Sequence, residues 1–147
     1  MIEPSEQLVT VFGGGGFIGR YVCEQLFRAG ARVRIAQRNP RSAYIIQPLA
    51  PVGHWGREVA DVTSRESVRN AVKSATAVVN LCGVFGRAMR RVHVEGARNV
   101  AEAAGAAGAG ALVHVSAIGA NVTSQSNYGR TKGEGEEAIK KAFPKAT

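Results

Sequence analysis

Residues 8–21 read LVTVFGGGGFIGRY. An apolar, largely β-branched run (Leu8, Val9, Val11, Phe12) stops at four glycines. After them Phe17, Ile18, Tyr21, Val22 and Leu26 recur at helical spacing. The order is strand, glycine turn, helix, and Gly13, Gly16 and Gly19 fall in the pattern G-x-x-G-x-x-G.

Each glycine has a physical task in such a turn. One permits the tight bend off the strand, one lets backbone approach a pyrophosphate without a Cβ in the way, and one lets helix and strand pack closely. The helix N-terminus offers free N–H groups and a partial positive charge to phosphate. The pattern therefore points to a dinucleotide held by Gly13, Gly16, Phe17, Ile18 and Gly19.

Outward from this stretch the chain keeps alternating. The first helix runs over residues 17–29, with Gly30 placed to stop it. Residues 32–37 (RVRIAQ) form a second strand that ends on Gln37, Arg38 and Asn39. A strand-end acid would accept hydrogen bonds from the ribose hydroxyls of NAD, and none is present. Arg38 instead suits a ribose 2′-phosphate through a bidentate, charge-assisted contact, which favours NADP(H) over the alternative NAD(H). Residues 40–53 allow a short helical turn over 42–47, broken by Pro48 and Pro51. Trp55 reads as core packing. Residues 57–62 (REVADV) give a third strand, with Asp61 placed to bond an adenine amine and Val62 beside it.

Thr63 or Ser64 caps the next helix, whose apolar positions are Val68, Ala71 and Val72. Residues 77–81 are the continuous apolar run of a buried parallel strand. Leu81, Cys82 and Gly83 at its end give a cofactor access to backbone. A helix over 88–105 presents Val92, Val100, Ala101 and Ala104, and a fifth strand over 111–115 ends at Ser116. The last helix spans 128–143 and Pro144 stops it. Five strands alternating with helices, without hairpin signals, require an α/β, Rossmann-like, doubly wound parallel sheet with ligands at the carboxyl ends of its strands. The singled-out residues lie at those ends.

Composition bounds the rest. The 147 residues suit one domain. No apolar run reaches the ~20 residues of a membrane span. Residues 1–7 are short and acidic, unlike a signal or transit peptide. Cys23 and Cys82 read as reduced, buried thiols, and no cysteine or histidine cluster suggests a metal. The net charge of +8 comes from scattered basic residues without interleaved aromatics, which argues against nucleic acid. It leaves a phosphate-bearing cofactor, an acidic partner or an anionic membrane face. The expected location is cytoplasmic or at the face of a membrane complex.

Tyr128 and Lys132 stand four apart and share a helix face. A tyrosine acts as general acid or base when a nearby ammonium favours its phenolate, and the ammonium can also hold a nicotinamide ribose. Ser116, at the neighbouring strand end, is placed to bond a substrate oxygen.

The glycine turn, Arg38, Asp61, the N-L-C-G at residues 80–83 and the Tyr128/Lys132 pair together resemble the extended or atypical short-chain dehydrogenase/reductase superfamily. H-V-S-A-I-G-A-N (114–121), S-x-S-x-Y-x-R-x-K (124–132), Gly135-Glu136 and the A-F-P-K-A near the end resemble one branch. That branch holds the NADPH-binding accessory subunit of respiratory complex I and its bacterial relatives. The resemblance covers nearly the whole chain.

It implies a bound NADPH that holds the fold together, and docking on other subunits of a membrane-associated respiratory complex at its cytoplasmic or matrix-equivalent face. It also implies a family fold that continues into a sixth strand and a substrate region beyond residue 147. Residues 55–59 and 83–89 are short for that family. Two positions depart from its active members. Ser116 is followed by Ala117 and Ile118 where further serines are usual, and His93 stands before V-E-G-A-R-N where asparagine is usual. A structural NADP(H) subunit is the leading expectation. The alternatives are a working NADP-dependent oxidoreductase or epimerase using Tyr128 and Lys132, and a regulatory nucleotide sensor.

Overall fold

The computed structural model describes residues 6–147. The reading of residues 1–7 as no targeting peptide therefore falls largely outside the described residues. Five parallel strands form one sheet in the order β3-β2-β1-β4-β5. They are β1 (Leu8–Phe12), β2 (Arg32–Gln37), β3 (Trp55–Val59), β4 (Ala77–Asn80) and β5 (Ala111–His114). The helices are α1 (Phe17–Arg28), α2 (Arg65–Val72), α3 (Ala97–Ala106) and α4 (Asn127–Ala142). A 3-10 segment covers Pro40–Leu49, and a π turn over Arg91–Gly96 leads into α3.

Central β1 pairs with β2 on one side and β4 on the other, so both its faces must be apolar. Its alternate residues feed two cores. Val9 and Val11 join Val33, Ile35, Cys23 and Phe27 under α1 and the 3-10 segment. Phe12 joins Val68, Val72, Val78, Val100 and Leu112 under α2, α3 and α4. Thr10, fully buried between β2 and β4, satisfies its hydroxyl on the carbonyl of Ala71 at 2.9 Å.

Three expectations need correction. The third strand covers Trp55–Val59 and not 57–62, because β2 fixes the register by pairing Val33 with Trp55 and Gln37 with Val59. As an edge strand it leaves Val59 61% exposed, so its alternation carried little core signal. Trp55 packs half-buried in that strand, edge-on to Tyr44. In α1 the buried stripe is Gly19, Cys23 and Phe27, while Phe17, Ile18 and Tyr21 face outward. The helix near residue 88 starts at Met89 and contains the π turn, for which the sequence carried no signal.

Candidate functional site

A cleft of about 700 Å³ opens at the carboxyl ends of the strands. Its walls come from the turns after β1, β2, β3 and β4. It straddles β1 and β4, where the strand order reverses, the place where open α/β sheets take ligands.

The turn after β1 forms the floor. Gly13 has φ +79°, a left-handed conformation that a side chain would strain. A Cβ on Gly19 would overlap the carbonyl oxygens of Gly14 and Gly13, so α1 comes this close to the turn only as glycine. Gly16 is the N-cap of α1, with no side-chain cap and no acid in the first turn. The N–H groups of that turn are therefore left for an anion.

At the β2 and β3 end the strand-end amide of Gln37 braces the turns around it. Its Oε1 accepts the Gly15 N–H at 2.9 Å, and its Nε2 donates to the carbonyl of Asn39 at 2.7 Å and to the hydroxyl of Ser42. The groups presented to the cleft here are Arg38, Asn39, Ser42, Asp61 and, from the π turn, Arg91. Hydrogen bonds from the N–H and hydroxyl of Thr63 hold the Asp61 carboxyl below the usual carboxylate range. Arg38 and Arg91 push it the same way, against partial burial. Arg38 and Arg91 line the cleft together with Asp61.

At the other end the wall is Leu81, Cys82, Gly83 and Val84. Burial pushes the Cys82 thiol up to about 11, partly opposed by Lys132. Lys132 is 3% exposed and its Nζ donates to the carbonyl of Val115 at 2.9 Å. That Nζ lies 3.8 Å from where a Cβ on Gly83 would stand. Burial holds Lys132 below the usual ammonium range. Tyr128 is stacked on Phe85 at 4.8 Å and stands edge-on to His93 at 5.3 Å.

Of the residues singled out from sequence, Gly13, Gly16, Arg38, Asp61, Val62, Leu81, Cys82 and Gly83 line the cleft. Phe17, Ile18 and Gly19 sit at its floor in the first turn of α1 without lining it. Lys132 stands behind Gly83, and neither Tyr128 nor Lys132 lines the cleft. Ser116 lies elsewhere. It lines a separate cavity of about 220 Å³ with His114, Glu136 and Lys140, and its buried hydroxyl has no partner there.

Sequence reasoning missed Gln37 as the brace of the glycine turn, although its position at the strand end was the signal. It also missed Arg91, the first residue of the π turn, which lines the cleft. Among the described residues no group of acids, cysteines and histidines could hold a metal, and no helix is long and apolar enough to cross a membrane.

The comparisons with known proteins agree with this architecture. The model of the 3-beta hydroxysteroid dehydrogenase/isomerase family matches residues 10–146. The mitochondrial NADH dehydrogenase (ubiquinone) 1 alpha subcomplex subunit 9 of Mus musculus is 34% identical over 146 residues, which is 95% of this chain and 38% of that protein. Ceramide reductase of Caulobacter vibrioides is 30% identical over 156 residues, 99% of this chain and 46% of that protein. The solved structure of Pen from Bacillus thuringiensis superposes with a TM-score of 0.82 at 21% identity, covering 93% of this chain and 45% of that one. The chain spans less than half the length of each of these relatives. It belongs to the 3-beta hydroxysteroid dehydrogenase/isomerase family, of short-chain dehydrogenase/reductase type.

Proposed function

We propose that this chain binds NADP(H) in the cleft, with the cofactor serving mainly as a structural element. The protein would then be an accessory subunit of a respiratory NADH:ubiquinone oxidoreductase, peripheral to the membrane. The observation that carries the cofactor choice is the β2 end of the cleft. Gln37 stands where an NAD-binding acid would, both its amide donors are engaged internally and it carries no charge, and Arg38 and Arg91 line the same space. Two guanidiniums suit a ribose 2′-phosphate.

The residues fit the rest of the group. Gly13, Gly16 and the α1 N-terminus would take the pyrophosphate. Asp61 and Val62 would meet the adenine, and Leu81, Cys82 and Gly83 would border the nicotinamide side. When bound, such a cofactor supplies a hydride donor or acceptor. The structural assignment rests on what stands around Tyr128. Phe85 covers its ring, and Ser116 is turned to another cavity. The relation to a complex I subunit supports the partner assignment.

A second reading, an active NADP-dependent oxidoreductase or epimerase, is favoured by the pairing of Tyr128 with a buried Lys132 beside Gly83 and by the relative named ceramide reductase. In it Tyr128 would move the proton at the substrate oxygen and Lys132 would orient the nicotinamide ribose.

The cofactor choice is tested by titrating NADPH and NADH against the native protein and Arg38→Ala. Wild type should prefer NADPH, and the variant should lose about tenfold in NADPH affinity with little change for NADH. Equal losses for both nucleotides would remove Arg38 as the discriminating group.

A further inference from the structure

His93 is 1% exposed and takes no direct part in lining the cleft, yet two hydrogen bonds converge on its ring. Its Nε2 accepts the backbone N–H of Val84 at 3.0 Å. Its Nδ1 lies 2.8 Å from the hydroxyl of Thr131. A ring nitrogen that accepts an N–H carries no proton, so in the neutral ring the proton sits on Nδ1 and is donated to Thr131. The Thr131 hydroxyl in turn donates to the carbonyl of Asn127 at 2.8 Å. One chain of bonds therefore runs from the cleft wall, through the π turn, into the first turn of α4. Around it, Tyr128 stands edge-on to the ring, and the Cβ position of Gly83 is 3.8 Å from both His93 Nε2 and Lys132 Nζ.

We propose that His93, as the neutral Nδ1–H tautomer, is a positioning residue that clips Val84 of the cleft wall to helix α4 and so sets the spacing between that wall and Tyr128 and Lys132. The effect on nucleotide affinity rests on the reading of the cleft as an NADP(H) site. The surroundings favour the uncharged ring, since burial and then the Lys132 ammonium hold its imidazole below the usual range. The shape of the ring matters as much. It places an acceptor and a donor on opposite sides of a fixed plane, so it spans from the wall to α4. An asparagine amide reaches only the Nδ1 position and keeps the Thr131 bond. A glutamine amide reaches the Nε2 position and keeps the Val84 bond.

The test uses the full chain. Imidazole ¹⁵N spectra without nucleotide should show His93 as the Nδ1–H tautomer, with the Val84 amide protected from exchange. In NADPH titrations His93→Asn, which drops the Val84 bond, and His93→Gln, which drops the Thr131 bond, should each weaken binding by about tenfold, as expected for losing one buried hydrogen bond of the clip. An Nε2–H tautomer, or either substitution leaving NADPH affinity within about threefold of wild type, would overturn the clip. Should either variant fail to fold, the tautomer and the Val84 protection in the native protein decide. If the native protein bound no dinucleotide while both of those held, the cleft reading would fall and the clip would stand.

Discussion

Gly135 sits inside helix α4 where a side chain has no room. A Cβ there would overlap the carbonyl oxygen of His93, so α4 and the π turn meet backbone to backbone. Inside a helix, glycine to alanine ordinarily gains about 0.5–1 kcal/mol. Here the sign should reverse. Gly135→Ala is expected to lose about 2 kcal/mol, the usual scale of overpacking, read as a lower urea midpoint at unchanged slope. A gain would mean that α4 can move away from the π turn at little cost. Gly19 obeys the same constraint against the turn after β1. The two differ in what the sequence disclosed. Gly19 belongs to a spaced motif that follows a strand, whereas Gly135 is a lone helical glycine whose contact lies 42 positions away at His93.

Among the elements, those with strong local signals were legible. The bounds of β1 and β2 followed from β-branched runs ending in glycine or polar residues, and α2 followed from its Ser64 cap, which accepts the Ser67 N–H. Elements set by neighbours were not. The extent of β3 depends on its register with β2, and the π turn depends on packing against α4 and Val62. The candidate site divides the same way. The turns after β1, β3 and β4 could be placed, because each is a strand end. The stacking of Tyr128 on Phe85, and the placing of Ser116 in another cavity, are decided by how α4 and the loop after β5 lie, which no spacing encodes. One tie between elements gives a direct check. Asn99 of α3 is buried and donates to the carbonyl of Val62 at 2.9 Å, fixing the turn after β3 that borders the cleft. Asn99→Ala strands that carbonyl and should cost about 1–3 kcal/mol of stability. It should also weaken nucleotide binding, and an unchanged thermal midpoint would show that the turn holds without it.

For the whole molecule, two histidines, His93 buried and His114 partly buried, shape the acid response. Burial, then the Lys132 charge, push His114 down to about 4 from 6.5, and its Nδ1 faces the Asn80 amide at 3.2 Å. His93 is lowered by the same two causes. The unfolded chain takes up these protons near its ordinary value and the folded chain resists them, so it is the unfolded state that gains as pH falls. Above about pH 7 neither histidine contributes to a pH dependence. Stability should fall as pH drops from about 6.5 toward 4, by on the order of 3 kcal/mol from His114 alone, and then level off for that residue. Asp61, lowered by its bonds to Thr63, adds a loss at still lower pH, where its carboxyl protonates. Urea midpoints between pH 8 and 4 check this, and stability that holds flat or rises toward acid would contradict it.

The central claim is that the cleft is an NADP(H) site whose cofactor is retained. It is tested most directly by denaturing the purified native protein and identifying the nucleotide released, together with its occupancy. Near-stoichiometric NADP(H) is expected, carried through purification by the glycine turn and the Arg38 and Arg91 side of the cleft. Release of NAD(H) in its place, or a protein that carries no nucleotide and takes none up, would contradict it.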